Sequence, residues 1–360
     1  MMLSGYILRI TLLVIFILFG SNAVAQIENP QGDKVATTPT DILPKTMSGS
    51  HFNEFWNFQF YLDNGMKAHI VFSMANFGRL KSPVTGVRIS IYGLDGQKVY
   101  QLSREYPFEN LQLNRDTFEF NLNPRQQNVW FRGSLDDKIE MYINTAKDGE
   151  RFVVELTIDQ IQQGFKWGDG IFRIGEEEIG IITHIPHARV TGKLGINENV
   201  KNVTGSVYMD HTFQNQNTTS LMHSGYRFVH HKDAKNWDVL YFLQPKGQMG
   251  RQTLGYRLVS QHGNITLQGI TGIINVTDGR AFRDNLPQSL TLFTTSENTL
   301  TLIRTQDLER YSVLEQLSWA ARRVARTFLG GDVIDFRGLA KLTDSEGREI
   351  KGAYNFFLVN

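Results

Sequence analysis

The run Gly205-Ser206-Val207-Tyr208-Met209-Asp210-His211-Thr212-Phe213 places a carboxylate, a phenol and an imidazole inside a stretch that otherwise reads as an apolar β-strand. Burying a carboxylate is costly unless it is hydrogen-bonded or neutralised. A residue that carries such a cost often serves function rather than fold. Strand alternation puts Tyr208 and Asp210 on one face and Met209 and His211 on the other. In the earlier run His184-Ile185-Pro186-His187-Ala188-Arg189-Val190, His184 and Pro186 share a face. If both faces line one cavity, a carboxylic acid, a phenol and an imidazole meet in an apolar pocket. Desolvation there raises the carboxyl pKa and keeps the acid protonated, able to donate to a substrate. In the alternative reading Asp210 is ionised and tied to backbone N–H groups or to an arginine, as a corner clamp. Trp56, Trp167, Tyr226, Phe228, Trp237 and Tyr241 are candidate ligand-contacting walls, or plain core.

Other chemistries lack their motifs. The sequence has no Gly-x-Ser-x-Gly elbow, phosphate-binding loop, dinucleotide fingerprint or His-Glu-x-x-His. It has no cysteine in 360 residues, which removes thiol nucleophiles and cysteine metal sites. His184 and His187 are three apart, so on a strand they point to opposite faces and do not converge on one ion. Neither a metal nor another cofactor is expected. With 37 basic and 36 acidic side chains and no basic tract, nucleic acid is not an expected partner.

These residues need a scaffold, and the pattern for it is β. Turn cues recur at Asp63-Asn64-Gly65, Asp95-Gly96, Asp148-Gly149, His262-Gly263-Asn264 and Asp278-Gly279. Aromatic and β-branched runs lie between them, such as Lys67–Ala75, Arg151–Ile158, Trp237–Leu243 and Ser289–Thr294. The strands are too many for one small barrel, so the expectation is mainly β, with two tandem antiparallel barrels. The boundary is placed in the polar stretch 197–202, giving domains 47–198 and 199–360. One helix is expected over 313–329. It opens on the capping box Ser312-Val313-Leu314-Glu315, has apolar positions three and four apart, and ends at Gly330-Gly331. Its arginines Arg322, Arg323 and Arg326 suit either a solvated face over a barrel or a peripheral membrane contact.

The N-terminus reads as a targeting segment. Arg9 precedes the apolar stretch Ile10–Phe19, and Ala23-Val24-Ala25 fits the small-x-small cleavage rule, so residues 1–25 are expected to be removed after Ala25. That implies a secreted or periplasmic protein. Residues 26–46, polar and carrying Pro30, Pro39 and Pro44, are expected to form a disordered leader.

Several of these pieces resemble the carotenoid 1,2-hydratase (hydroxyneurosporene synthase) and AttH-like group, related to fungal Diels–Alderase proteins. Glu54-Phe55-Trp56-Asn57-Phe58 with Leu62-Asp63-Asn64-Gly65 is similar to the group's Glu-Trp-Trp-Tyr-Phe opening and hairpin. Ala188–Leu194 resembles its middle strand, and Gly205–His211 its Gly-x-x-Tyr/Trp-x-Asp-His motif. Ser312–Gly331, Phe336-Arg337-Gly338 and Gly352-Ala353-Tyr354 resemble its second domain. The resemblance implies two lipocalin-like barrels with a hydrophobic ligand pocket at or between them. It also implies that Asp210, in the matching Tyr-x-Asp spacing with Tyr208, protonates a carbon–carbon double bond. His184 matches the histidine of the group's His-x-Trp pair, but Pro186 stands where the tryptophan would be.

Two functions follow as expectations. One is an exported lipocalin-like protein that holds an apolar small molecule (a lipid, polyene or terpenoid) in a barrel pocket. The other is a hydratase, isomerase or cyclase with Asp210 as general acid and Tyr208 and His184 as its orienters. A structural role in the envelope would need large exposed apolar patches.

Overall fold

The computed structural model describes residues 26–45, 51–78, 82–116, 118–247, 251–312, 314–316, 319, 322–323 and 331–360. The expected targeting segment 1–25 lies outside them, as does most of the expected helix 313–329. Ser312 Oγ accepts the Glu315 amide at 3.1 Å, and the described start of that segment is the 3-10 turn Leu314–Gln316.

Every strand pair is antiparallel, as the recurring two-residue turns require. The first sheet takes β1 (His51–Leu62), β2 (Lys67–Phe77), β3 (Val84–Tyr92), β4 (Val99–Pro107), β5 (Gln112–Asn114), β6 (Glu119–Asn121), β7 (Val129–Gly133), β8 (Ile139–Lys147), β9 (Glu150–Asp159), β10 (Glu177–Ile196) and β11 (Asn199–Gln214). Its order is β4-β3-β2-β1-β11-β10-β9-β8-β7-β6-β5, an open half-barrel. The second unit is a closed up-and-down barrel of β12 (Met222–Asp233), β13 (Asn236–Pro245), β14 (Leu254–Gln261), β15 (Asn264–Thr277), β16 (Ser289–Thr294), β17 (Thr299–Ser312), β18 (Val333–Thr343) and β19 (Glu349–Val359). β12 pairs with β19 to close it.

Two expectations change. Polar stretch 197–202 is not a domain boundary. Asn197 and Glu198 turn β10 into β11, and β11 lies inside the first sheet between β10 and β1. The chain crosses to the barrel at residues 215–221 instead. Nor is the leader disordered over residues 26–45. Ile27–Glu28 pairs with Ile171–Ile174, and Lys34–Ala36 pairs with Phe165–Trp167. Ile42 is buried in the half-barrel core, and its carbonyl accepts the Trp56 indole N–H at 2.9 Å. The few apolar residues among its prolines, Ile27 and Ile42, are buried against the sheet and its core.

Alternation sorts the side chains into three cores. One fills the half-barrel, where Trp56, Phe58, Phe72, Phe120 and Phe131 pack in tilted and edge-to-face pairs with ring centroids 4.7–6.5 Å apart. A second fills the closed barrel around Tyr226, Phe228, Phe242, Phe336 and Phe356. The third lies between them, where the outer faces of β10, β11, β12, β13 and β19 meet. Within β11, Val207 and Met209 enter the half-barrel core while Tyr208 enters the core between the domains. From Val207 to Gln214, β11 is therefore buried on both faces. That is why the opening run carries no solvent-facing polar stripe.

Candidate functional site

Asp210 faces the closed barrel and is fully buried. Opposite it lies Arg227 on β12, 5% exposed, whose Nε and Nη2 donate to Asp210 Oδ2 and Oδ1 at 2.8 and 3.0 Å. Asn57 Nδ2 adds a bond to Oδ1 at 3.1 Å, and Thr212 Oγ1 another at 3.3 Å. The guanidinium lies over the Tyr241 ring, 3.6 Å from its centroid, and Nη1 reaches Asn355 Oδ1 at 3.4 Å. Burial works against the arginine's charge, but Asp210 holds its pKa above the usual value. All four contacts of the carboxylate are donors. A general acid must direct a proton at its substrate, and here both oxygens are occupied as acceptors in a fork–fork pair. The geometry is that of the clamp.

Tyr208 shares this face and is 1% exposed. Burial, with the Asp210 charge second, pushes its phenol well above the ordinary range. His184 does not join the pair. The register sets Thr183 opposite Asp210, so the next residue, His184, falls on the opposite face. There its Nε2 lies 3.3 Å from His211 Nδ1, and His211 Nε2 lies 2.7 Å from Glu54 Oε1. Glu54, His211 and His184 thus form one buried hydrogen-bonded chain. Trp56 stacks on the His211 ring at 4.6 Å. Burial, then His211, lowers the His184 pKa well below the ordinary histidine value. The expected meeting of Asp210, Tyr208 and His184 in one pocket is thus corrected to two separate groups on opposite faces of β11. Pro186 sits in the irregular stretch between Ile185 and Ala188, where its missing N–H costs no ladder bond. Its carbonyl instead accepts from His231 Nε2 at 2.8 Å.

The expected wall residues divide in the same way. Trp56 packs in the half-barrel, Tyr226 and Phe228 inside the closed barrel, and Trp167, Trp237 and Tyr241 in the core between. Of these six, only Tyr241 borders the apolar cleft that opens between the two units, with a volume of about 290 Å³. Phe55, Val71, Ala75 and Val84 on the outer face of β1–β3 form one wall, and Leu243, Met222 and Phe357 the other. Asn57, Thr212 and Arg227, three of the residues that hold Asp210, lie in its lining, so Asp210 sits one layer beneath it. Arg88, also in the lining, bonds Asp335 at 2.6 Å across the domains.

The fold has relatives among solved structures. A protein of Nitrosomonas europaea provisionally assigned as AttH superposes with a TM-score of 0.62 at 13% identity, over 88% of this chain and 95% of that one. CghA, determined with Sch210972, superposes at 0.58 and 12% identity, over 93% of this chain and 98% of that one. Kievitone hydratase from Nectria haematococca aligns at 0.48 and 12% identity, over 93% and 98% of the two chains. No family model and no curated protein sequence matches the chain. The likeness to AttH-type proteins therefore stands at the level of the lipocalin-like fold.

The sequence reading missed Arg227, Asn57 and Thr212. Arg227 had a visible signal, a lone guanidinium in the apolar run Tyr226-Arg227-Phe228. A charge in such a place needs a buried partner, and Asp210 is one of the acids in the sequence with the same need, as Asp238 in Trp237-Asp238-Val239 also is.

Proposed function

We propose that the protein is an exported lipocalin-like carrier of an apolar small molecule, a lipid, polyene or terpenoid, held in the cleft between the half-barrel and the closed barrel. The observation that carries this reading is the cleft itself: about 290 Å³, with apolar side chains of both sheets facing each other and polar and charged groups, Asn57, Arg88, Thr212 and Arg227 among them, also in its lining. Ligand sites commonly combine such walls with a small number of placed donors. Arg227, locked by Asp210 and Tyr241, and Asn57 would orient an oxygen of the ligand at one end. The barrel interiors offer a poorer location, because packed aromatic and aliphatic side chains occupy them. Export rests on the Arg9–Ala25 segment. Binding rather than turnover is favoured because Asp210 is surrounded by donors.

The test is mass spectrometry of solvent extracts from the natively purified protein, with titration of fluorescent cis-parinaric acid. Ala75→Phe, which projects a ring into the cleft, is expected to weaken parinarate binding at least about tenfold with an unchanged circular dichroism spectrum. An empty extract together with equal parinarate affinity in both proteins would sink the proposal.

A further inference from the structure

A second concavity lies between the two units and shares no lining residue with the apolar cleft. Its deepest part is a void of about 50 Å³ between β1–β3 of the half-barrel and β17–β19 of the barrel. Three side chains reach it with buried, unused donor atoms. Arg337 uses Nη1 for Glu309 Oε2 at 2.6 Å and Ser90 Oγ at 3.1 Å, while its Nε and Nη2 have no partner among the described residues. Those two atoms form the edge of the guanidinium that binds carboxylates through two parallel bonds. Gln59, 6% exposed, accepts from Tyr61 Oη at 2.8 Å through Oε1 and leaves Nε2 unpartnered. His69, 5% exposed, has no partner on either ring nitrogen. The one carboxylate in the lining, Glu309, is taken up by Arg337 and by Gln101 Nε2 at 2.7 Å.

The void opens beside a larger groove of about 780 Å³, with Tyr61, Lys67 and Ala353 lining both. Lys67, Lys232, Lys341 and Lys351 line the groove against the single acid Asp63. Among the described residues only Lys341 has a carboxylate partner within ion-pair distance, Glu349 at 2.8 Å. Lys67 is half-buried and its pKa is lowered by desolvation. Burial first, and then Arg337, Arg88 and Arg227, push the His69 pKa well below the ordinary value. The region is thus electropositive, and the unused hydrogen-bonding capacity at its floor is mostly donor capacity. Water can accept from such donors but brings protons that need acceptors of their own; an oxyanion does not.

We propose that this concavity binds a small organic polycarboxylate, with one carboxylate seated in the void on Arg337 Nε and Nη2 and Gln59 Nε2, and the remaining charge lying among Lys67, Lys232 and Lys351 in the groove. The void takes a carboxylate group and little more, and the groove is larger than an inorganic anion needs. The site is independent of the apolar cleft, so failure of either proposal leaves the other standing.

Citrate is a suitable probe, titrated calorimetrically into the mature chain at low ionic strength, with trimethyl citrate as the uncharged control. One equivalent of citrate is expected to bind and the ester not. Arg337→Lys keeps the charge beside Glu309 but loses the fork, and is expected to weaken binding about tenfold. The double variant Lys67→Gln/Lys351→Gln is expected to weaken it about fivefold and to flatten its dependence on salt. If Arg337→Lys does not fold, Gln59→Leu carries the test, since it removes a floor donor and no charge. No binding of citrate overturns the proposal. So does citrate affinity unchanged in whichever floor variant folds, because the anion would then sit adventitiously on surface lysines.

Discussion

Arg227 is a buried charge whose neutralisation depends on one carboxylate. Its other contacts, the Tyr241 ring and Asn355 Oδ1, carry no formal charge. Removing one member of such a pair leaves the other uncompensated in a medium of low polarity, which costs roughly 3–5 kcal/mol. Asp210→Asn is therefore expected to lower stability by about that amount, read from the midpoint of urea unfolding followed by far-ultraviolet circular dichroism. The double variant Asp210→Leu/Arg227→Met removes both charges, and should recover most of the loss. A midpoint that Asp210→Asn leaves unmoved would show that the pair does not hold the two units together. The sequence made Asp210 visible as a costly residue because burial could be inferred from its neighbours in the chain. The partner was hidden because Arg227 is 17 positions away and on another sheet, and strand alternation says nothing about which outer faces meet.

At the scale of elements, turns were legible and register was not. Asp63-Asn64-Gly65, Asp148-Gly149 and His262-Gly263 each join the strands expected on either side, because an αL glycine in a hairpin is a local property of the backbone. Thr191 and Thr204, on either side of the 197–202 stretch, are cross-strand neighbours. The same register moves His184 away from Asp210, since an offset of one residue exchanges the faces of a strand. Gly205 marks how closely this part of the sheet is packed. A Cβ there would stand 2.3 Å from Tyr61 O and 2.8 Å from Leu62 Cα, both backbone atoms of β1 that cannot turn aside. Gly205→Ala is expected to destabilise by about 3 kcal/mol. Gly149→Ala provides the contrast: it meets nothing within 4 Å at a φ of +82°, so only the left-handed conformation opposes it, at about 1–2 kcal/mol. Thermal melts of the two variants against the parent chain measure the difference. Equal losses would mean that β1 and β11 yield at the crossing.

The whole molecule depends on a surface that neither unit could expose alone. Met222, Trp237, Tyr241, Tyr256 and Phe357 project outward from the closed barrel, yet each is buried against the half-barrel or the strands beside it. Tyr256 Oη accepts the Thr183 amide at 3.0 Å, and Arg88 meets Asp335 at 2.6 Å across the same seam. Composition could announce two barrels because turns and alternating runs are repeated along the chain. It could not announce that the outer faces of those barrels form a third core, because an outward-facing aromatic has the same sequence pattern whether solvent or another sheet covers it. An interface that combines a continuous apolar core with buried ion pairs couples the two folding equilibria, since opening it exposes both at once. Heating or urea is thus expected to unfold the chain in one transition, with tryptophan fluorescence and far-ultraviolet circular dichroism coincident and the calorimetric enthalpy equal to the van't Hoff value. Two separated transitions would show that the half-barrel and the barrel are each stable without the seam. In that case the apolar cleft, whose walls come from both, would be able to open while each unit remains folded.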